Sequence, residues 1–370
     1  MTQTDVASTA QPTAFAELLA TAVTPHELSV YRGVLTPREL DEPATESAAL
    51  TTGAAAHDLG WLRRVAVRGE DRFRWLSGMV TNMVNDLAPN AGAWNLVLNA
   101  QGRIQGDATI FAQPDALLIE TAATQLPTLL AHLDHFIIMD DVELANISAT
   151  QSGILVAGPQ APSLLTKIGI NVDSLEPLTT STLQWNTTTV TVIHAHSPLT
   201  PKFELWTTPE AAPELQTALT RAGAIHIDPQ SLESLRILEG TPLYGTDIRN
   251  SEKARELPQE TAQTRALHFN KGCYLGQEIV ERIRSRGNVH RTFAAFRLDG
   301  QLPAAGSPLE AENKAVGELT SVAKIDLPGG SNIQLALGYI RREALDRNLP
   351  LHYPGGTATP VQLPYSAAAA

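Results

Sequence analysis

The chain has 370 residues, a formal net charge of −12 at pH 7, a hydrophobic share of 43% and a charged share of 18%. This length accommodates about two or three domains of about 150 residues each. The hydrophobic share suffices for packed cores, and the low charged share excludes a disordered or coiled-coil chain, so we expect a soluble globular protein.

The single cysteine, Cys273, excludes several kinds of site. Disulfides need paired thiols, and one thiolate cannot build a four-cysteine zinc site or a self-contained iron–sulfur cluster. Two histidine pairs, His132 with His135 and His194 with His196, lack a nearby cysteine or carboxylate cluster, so we predict no metal site. The first residues have no basic region before an apolar core and so do not read as a signal peptide. No stretch approaches the roughly 18 apolar residues of a membrane span, so we expect a cytoplasmic protein without membrane contact.

The first fifty residues are acidic, and we expect them to form a loose lead-in in which only residues 15–23 have helical spacing. Strand-like and helix-like segments follow it. The predicted strands cover residues 64–68, 95–99, 104–111, 117–120, 142–147, 154–156, 189–194 and 203–206. Three helices are predicted. The first begins after Asp71, the second covers residues 126–136, and the third covers residues 209–222 and ends near Gly223. This mixture favours an α+β fold over regular βαβ alternation.

The section after Arg291 differs from the rest. Residues 292–298, 315–325 and 335–339 are strand-like and are separated by Gly and Pro clusters, which predicts a small β-barrel or sandwich. We therefore divide the chain into an N-terminal extension that is partly flexible (1–54), an α+β region of two packed units (55–290), a C-terminal β-barrel domain (291–364) and a tail (365–370).

Residues 265–291 carry a local charge of +4 inside an acidic chain. The basic residues are Arg265, Lys271, Arg282, Arg284, Arg286 and Arg291. One reading is a solvated helix face. The other is contact with an anion such as a polyglutamate tail, a phosphate or RNA, for which Arg282, Arg284 and Arg286 are the candidates.

Within this segment, the apolar spacing over residues 279–283 predicts a helix that begins near Leu275. Cys273 would then lie at a helix amino end, beside Lys271. Both features stabilise a thiolate and lower the pKa of the thiol, which predicts a reactive sulfur. The alternative is a small buried hydrophobic side chain.

The run Lys-Gly-Cys-Tyr-Leu-Gly-Gln-Glu at 271–278 resembles the signature of the YgfZ-type folate-binding proteins. These are relatives of the glycine-cleavage T-protein, or aminomethyltransferase, and of a mitochondrial iron–sulfur assembly factor. Similar segments at 67–71, 98–107, 235–248 and 316–321 extend the resemblance over most of residues 55–345.

The resemblance implies an α+β fold of three packed units in a ring, with a small C-terminal β-barrel and tetrahydrofolate, or a one-carbon derivative of it, in a central channel. It also implies a role in iron–sulfur cluster assembly or repair, which supports cluster enzymes such as those that thiolate tRNA. The expected partners are folate and iron–sulfur assembly or client proteins, and the expected state is a monomer. Because one thiolate cannot hold a cluster, any transient cluster would be shared with a partner.

Two departures from the aminomethyltransferase pattern weigh against glycine cleavage. The transferases carry Gly-Gly-Ile-x-Asp-Asp, and the matching run at 102–107 has Gly106 at the first Asp and retains only Asp107. Glycine has no side chain that could steer a proton. Leu238 occupies the position of the glutamate in the transferase segment Arg-Leu-Glu-Ala-Gly, unless a one-residue adjustment brings Glu239 inward.

The resemblance leaves a set of candidate folate-binding residues, because a buried pterin ring needs hydrogen-bonding partners and a stacking surface. The polar candidates are Asn99, Asp107, Glu239 and Asp247, and the stacking candidates are Trp206 and Tyr244. Each of them also suits a turn, a cap or a core position.

The first hypothesis is therefore a folate-dependent accessory protein for iron–sulfur clusters, not a conventional turnover enzyme. Cys273 would be the functional thiol and Lys271 would hold it as thiolate. The supporting motif residues are Gly272, Tyr274, Gly276, Gln277 and Glu278. The alternatives are a folate-dependent one-carbon transferase that resembles the aminomethyltransferases, and a module that contacts tRNA through the basic helix.

Overall fold

The computed structural model describes residues 10–13, 15–17, 26–252, 254–287, 289–327 and 331–366. The helix predicted at 15–23 therefore lies mostly outside the described residues. The chain divides into two compact units. Unit 1 comprises Met1–Leu76, Val84–Trp94 and Ala108–Leu232, and unit 2 comprises Ser77–Met83, Asn95–Asp107 and Glu233–Ala370. Within the described ranges, no helix is both long and apolar enough to cross a membrane.

The strands in chain order are β1 Leu28–Tyr31, β2 Val34–Pro37, β3 Ala55–Asp58, β4 Leu62–Arg68, β5 Gly92–Leu98, β6 Ile104–Ala112, β7 Leu117–Ala122, β8 Glu143–Asn146, β9 Ser152–Ala157, β10 Thr180–Trp185, β11 Thr188–His194, β12 Lys202–Thr207, β13 Ile225–His226, β14 Arg291–Gly300, β15 Ser307–Ala311, β16 Lys314–Asp326, β17 Asn332–Arg341, β18 Leu351–Tyr353 and β19 Gly356–Val361. The helices are α1 Pro43–Thr51, α2 Arg72–Met79, α3 Leu126–Asp134, α4 Ala161–Lys167, α5 Ala212–Ala222, α6 Pro229–Glu239, α7 Gln277–Arg286 and α8 Arg342–Asp346. Short 3-10 turns occur at Ser148–Thr150, Pro258–Thr261 and Thr264–Ala266.

A six-stranded sheet in unit 1 has the order β10-β11-β12-β9-β3-β13. Its neighbours pair antiparallel except β13, which runs parallel to β3. Helices α4 and α5 cover one face, where Leu165 and Leu219 pack against Phe203 and Leu205 of β12. Helix α5 ends as the sequence predicts, because Gly223 adopts a φ of 107°.

A second sheet has five strands in the order β5-β6-β7-β4-β8. Strands β4 and β7 pair antiparallel, and their register sets Arg64 directly opposite Glu120. All six residues of β7 are buried. A strand that is buried along its whole length yet carries charged residues needs internal partners for those charges.

The C-terminal strands close into a six-stranded barrel in the order β14-β17-β16-β15-β18-β19. Its interior is filled by Phe296, Leu309, Leu319, Ala336 and Ile340, all of them buried. The predicted β-barrel is confirmed, and closure removes the exposed strand edges that an open sheet of this size would present. The predicted mixture of helices and sheets is confirmed as well, whereas the domain boundaries at residues 54 and 290 stay predictions.

The loose lead-in expected before residue 55 is wrong for the described part of this segment. Strands β1 and β2 form an antiparallel hairpin, and helix α1 follows with Pro43 in its first turn. Helix α1 buries Glu46, Ala49 and Leu50. Its sequence has almost no amphipathic pattern, because most of its residues are small or polar, and so periodicity gave no helix signal.

Candidate functional site

The signature segment is fixed in unit 2 by the buried side chain of Lys271. Its Nζ donates three hydrogen bonds of 2.7 Å, to the backbone carbonyls of Ser77, Val80 and Asn82. These carbonyls belong to the end of helix α2 and the turn that follows it, where unpaired carbonyls gather and the helix dipole is negative. Lys271 therefore caps helix α2 from a position about 190 residues further along the chain.

These contacts correct the role predicted for Lys271. An ammonium has three protons, and all three go to carbonyl oxygens, so none is left to hold Cys273 as thiolate. Burial lowers the pKa of Lys271 to about 8, which leaves the ammonium as the major form at pH 7. Lys271 positions the loop and gives none of its three N–H groups to the sulfur.

Cys273 itself is exposed, as is Gly272 before it. The next residue, Tyr274, is buried, and Lys271 Nζ lies 5.0 Å from the centre of its ring. Burial, with the negative charge of Glu281, raises the pKa of Tyr274 to about 12. The loop thus holds an exposed thiol between two buried anchor side chains.

Two glycines allow the amino end of helix α7 to pack closely against the β5–β6 turn. Gly276 has a φ of 83°, and a Cβ there would lie 2.6 Å from the backbone oxygen of Asn99. Gly102 in the β5–β6 turn has a φ of 71°, and its Cβ would lie 2.7 Å from Cβ of Ile279. Only glycine fits either position. Because Gly276 is left-handed, the helix starts at Gln277 and not at Leu275 as predicted.

The remaining motif residues form the first turn of α7 or its surface. The Gln277 side-chain oxygen accepts a 3.2 Å hydrogen bond from the backbone N–H of Tyr274. Glu278 pairs with Arg282 at 2.8 Å, and Glu281 pairs with Arg284 at 3.5 Å. The two candidate anion-binding arginines that can be described are exposed and engaged with acids of their own helix, whereas the side chain of the third, Arg286, lies outside the described part.

Two of the six candidate folate residues, Glu239 and Asp107, act electrostatically on Arg265 in unit 2, and Asp107 links a third, Tyr244, to them. Burial lowers the pKa of Arg265, and the negative charges of Glu239 and Asp107 oppose that shift. Asp107 also acts on Tyr244, whose pKa is raised by burial and by this charge while a hydrogen bond from Asn250 lowers it. The cluster of Asp107, Glu239, Tyr244 and Arg265 combines two carboxylates, a phenol and a guanidinium.

Glu239 enters this cluster from the last turn of helix α6. Its side chain is buried, whereas the preceding Leu238 packs against the barrel residues around Phe293 and Tyr339. Leu238 thus belongs to an apolar cluster and Glu239 is the buried carboxylate of this segment, whereas its match to the transferase glutamate stays a prediction.

Sequence reasoning treated Arg265 only as part of the basic run. The backbone of its segment pairs with residues 81–82: Thr81 donates its hydroxyl to Ala266 O at 2.6 Å, and Asn82 donates its amide to Arg265 O at 2.8 Å. The pairing joins segments that lie more than 180 residues apart, and no local pattern reports it.

The other three candidates have different surroundings. Asn99 folds its side-chain oxygen onto the backbone N–H groups of Gln101 and Arg103, both at 3.0 Å, and so forms the β5–β6 turn. Trp206 lies in unit 1, is 4% exposed, and has the Arg64 guanidinium 4.3 Å from its ring centre. Its indole is a core group with one face covered by a cation, which does not suit the predicted stacking on a pterin.

Asp247 is wholly buried and already accepts four hydrogen bonds. Oδ2 accepts from Arg236 at 2.7 Å and from the backbone N–H of Leu243 at 2.9 Å, and Oδ1 accepts from the hydroxyls of Thr320 and Ser321. A carboxylate has about four acceptor positions, so none remains for a ligand. Asp247 is a structural anchor between the segment after α6 and barrel strand β16. Among the described side chains, no group of three or more His, Cys, Asp or Glu residues could hold a metal ion.

A family model described as GCVT N-terminal domain matches residues 4–265 of the chain. The chain belongs to this family. The tRNA-modifying protein YgfZ of Yersinia pseudotuberculosis is 30% identical over 253 residues, which are 66% of this chain and 72% of that protein. The resemblance to YgfZ-type, T-protein-like proteins is thereby confirmed.

Two further relatives carry other names. The iron–sulfur cluster assembly factor IBA57 homolog, mitochondrial, of Pyricularia oryzae is 28% identical over 302 residues, 74% of this chain and 69% of that protein. The aminomethyltransferase of Rippkaea orientalis is 24% identical over 339 residues, 88% of each chain.

A solved structure shares the fold. The crystal structure of glycine cleavage system aminomethyltransferase T from Bartonella henselae matches with a TM-score of 0.82 over 96% of both chains, at 18% identity. The fold predicted from the resemblance is therefore confirmed. At this identity the likeness concerns the fold alone.

Proposed function

We propose that this protein is a tetrahydrofolate-binding accessory protein for iron–sulfur cluster assembly or repair, with Cys273 as its functional thiol. The observation that carries the proposal is the exposed Cys273 on a loop that the buried Lys271 fixes in place through three carbonyls. A cysteine that served packing would be buried. An exposed thiol on a fixed backbone suits contact with a partner molecule.

The names of two relatives support this direction, since one is an iron–sulfur cluster assembly factor and the other a tRNA-modifying protein. One thiolate cannot hold a cluster by itself, so any contact with a cluster is shared with a partner protein or a small thiol. Cys273 would then supply one ligand during transfer or repair, and the cluster would be cargo.

The cluster around Arg265 suits a folate. The pterin ring presents N–H donors and a carbonyl acceptor, and two carboxylates with a guanidinium supply the complementary acceptors and donors. Asp107 and Glu239 would accept from the pterin, while Arg265 and Tyr244 would orient its polar edge. When bound, the folate would supply one-carbon chemistry.

The runner-up is a folate-dependent one-carbon transferase, which the relatives named aminomethyltransferase favour. Asp107 is the retained carboxylate of the transferase motif. Gly106 stands in the place of the first aspartate, so this chain lacks the carboxylate that would steer a proton there. Measured transfer of a methylene group from an aminomethyl donor to tetrahydrofolate by the purified protein would favour this alternative.

The decisive variant is Cys273→Ser, which replaces the sulfur by an oxygen of similar size at an exposed position. We expect the variant to fold with the wild-type urea midpoint, because no buried contact is lost. In a strain from which the gene has been deleted, we expect it to fail to restore the activity of a cluster enzyme that thiolates tRNA, whereas the wild type restores it.

Ser285→Ala, a comparable change at an exposed position of helix α7, is the matched control and should restore activity fully. Full restoration by Cys273→Ser would show that the thiol has no part in the function and would overturn the proposal.

A further inference from the structure

Unit 1 buries a charged cluster that the proposed function does not use. Arg64 on β4 is 1% exposed, Glu120 on β7 is 7% exposed and Glu204 on β12 is 8% exposed. Glu120 belongs to the five-stranded sheet and Glu204 to the six-stranded sheet, and both residues lie in unit 1. Such burial is rare for charged side chains unless they are paired.

The contacts of the cluster define how its charges are arranged. Arg64 Nε lies 3.6 Å from Glu120 Oε2, and Arg64 donates to Gln151 Oε1 at 2.7 Å. Trp206 donates its indole N–H to Glu204 Oε2 at 3.0 Å. The Glu120 and Glu204 carboxyl groups lie within hydrogen-bonding reach of each other.

Two ionised carboxylates cannot form a hydrogen bond with each other, because neither has a proton to donate. We propose that Glu120 and Glu204 form a carboxylic acid–carboxylate pair that shares one proton, and that this proton joins β7 to β12 within unit 1. The pair then carries one negative charge, which the Trp206 indole N–H and the Arg64 guanidinium compensate.

Charge balance supports this arrangement. The charges that act on Glu120 are those of Glu204 and Arg64, and the charges that act on Arg64 are those of the same two glutamates. With one shared proton the buried cluster is neutral overall, whereas full ionisation would leave one uncompensated negative charge away from water. Burial, followed by the charge of Glu204, raises the pKa of Glu120 well above its ordinary value, in agreement with the geometry.

The proton makes the stability of the fold sensitive to pH, and the sign follows from linkage. Above the ordinary pKa of 4.5 the unfolded chain releases the Glu120 proton while the folded chain keeps it. The folded state then binds one proton more than the unfolded state, so stability falls as pH rises through this window. The unfolding equilibrium constant should rise by up to about tenfold per pH unit from this group.

Glu120→Gln tests the pair directly, because the amide can donate to Glu204 as the protonated acid does and cannot ionise. We expect equal urea midpoints for wild type and variant at about pH 5, and a variant that is increasingly more stable than the wild type up to about pH 8. Glu143→Gln, an exposed change on β8, should follow the wild type at every pH. Parallel curves for wild type and Glu120→Gln would overturn the proposal.

The double variant supplies an independent test. Each single change, Glu120→Gln or Glu204→Gln, leaves one carboxylate for Arg64, whereas the double change leaves the buried guanidinium without a counter-charge. We expect the double variant to lose more stability than the two single changes together, and simple additivity would contradict the shared proton.

If these variants do not fold, the carboxyl carbon-13 shift of Glu120 in the wild type at pH 7 decides: a protonated acid supports the proposal and an ionised one overturns it.

Discussion

Lys271→Met should lower the free energy of unfolding by about 3 kcal/mol, because each of three backbone carbonyls would lose the hydrogen bond that it accepts from Lys271 Nζ. Each unsatisfied buried polar group costs about 1–3 kcal/mol, and the removal of a desolvated charge offsets part of the sum. Methionine keeps the length and apolar stem of the side chain, so the change isolates the ammonium. Urea unfolding followed by circular dichroism measures the effect.

The matched control for this change is Lys324→Met, which removes an exposed lysine of β16 in the same unit. We expect that control to stay within about 0.5 kcal/mol of the wild type. Hydrogen exchange should locate the loss, with faster exchange at residues 77–83 and 268–276 in Lys271→Met. Unchanged stability and exchange would mean that the three carbonyls do not depend on Lys271, and that its role as the anchor of the Cys273 loop is wrong.

Asp247→Asn should destabilise the protein by about 3 kcal/mol, because it breaks the ion pair between the wholly buried Asp247 and the largely buried Arg236. The substitution is nearly isosteric, but the new amide N–H₂ faces donors where the carboxylate accepted four hydrogen bonds. The expected loss comes from the guanidinium of Arg236, which keeps only the partly exposed Glu233 as an ionic partner, and from unpaired donors, with little contribution from changed volume. Thermal and urea unfolding should both report it.

Asp299→Asn, an exposed change on barrel strand β14, is the matched control and should unfold like the wild type. If Asp247→Asn were as stable as this control, Asp247 would not be the anchor that its four hydrogen bonds indicate. Its place among the candidate ligand-binding residues would then have to be reconsidered.

Local sequence patterns predicted much of the secondary structure. Strands β4, β7 and β12 have dense apolar residues, and helix α5 has strong amphipathic spacing with a glycine at its end. Helix α1 and the hairpin β1–β2 were missed, because small and polar residues carry no clear period. These elements are stabilised mainly by tertiary packing, and a local sequence pattern carries no information about that packing.

The candidate site was predictable in composition but not in its contacts. The motif at 271–278 identified Cys273 as a candidate reactive thiol, and the resemblance selected Asp107, Glu239 and Tyr244 among the candidates. The role of Lys271 depends on carbonyls about 190 residues earlier, and the arrangement around Arg265 depends on similarly distant segments. Charge and spacing along the chain suggested that Lys271 acts on its neighbour Cys273, whereas the fold uses its charge to cap a helix.

The roles of Asn99 and Asp247 illustrate the same limit. A polar residue next to a glycine-rich turn suits both a ligand and a turn, and the sequence does not separate the two. The structure does, because Asn99 bonds the backbone of its own turn and Asp247 is saturated by four donors.

Calorimetric titration of tetrahydrofolate under reducing conditions, into wild type, Cys273→Ala and Asp107→Asn, tests the account most directly. If the protein binds folate around Arg265 and uses Cys273 in a separate step, wild type and Cys273→Ala should bind with the same affinity. Asp107→Asn should bind at least about tenfold more weakly, which corresponds to about 1.4 kcal/mol. The absence of binding to the wild type would contradict the folate part of the account, and loss of binding in Cys273→Ala would contradict the separation of the two roles.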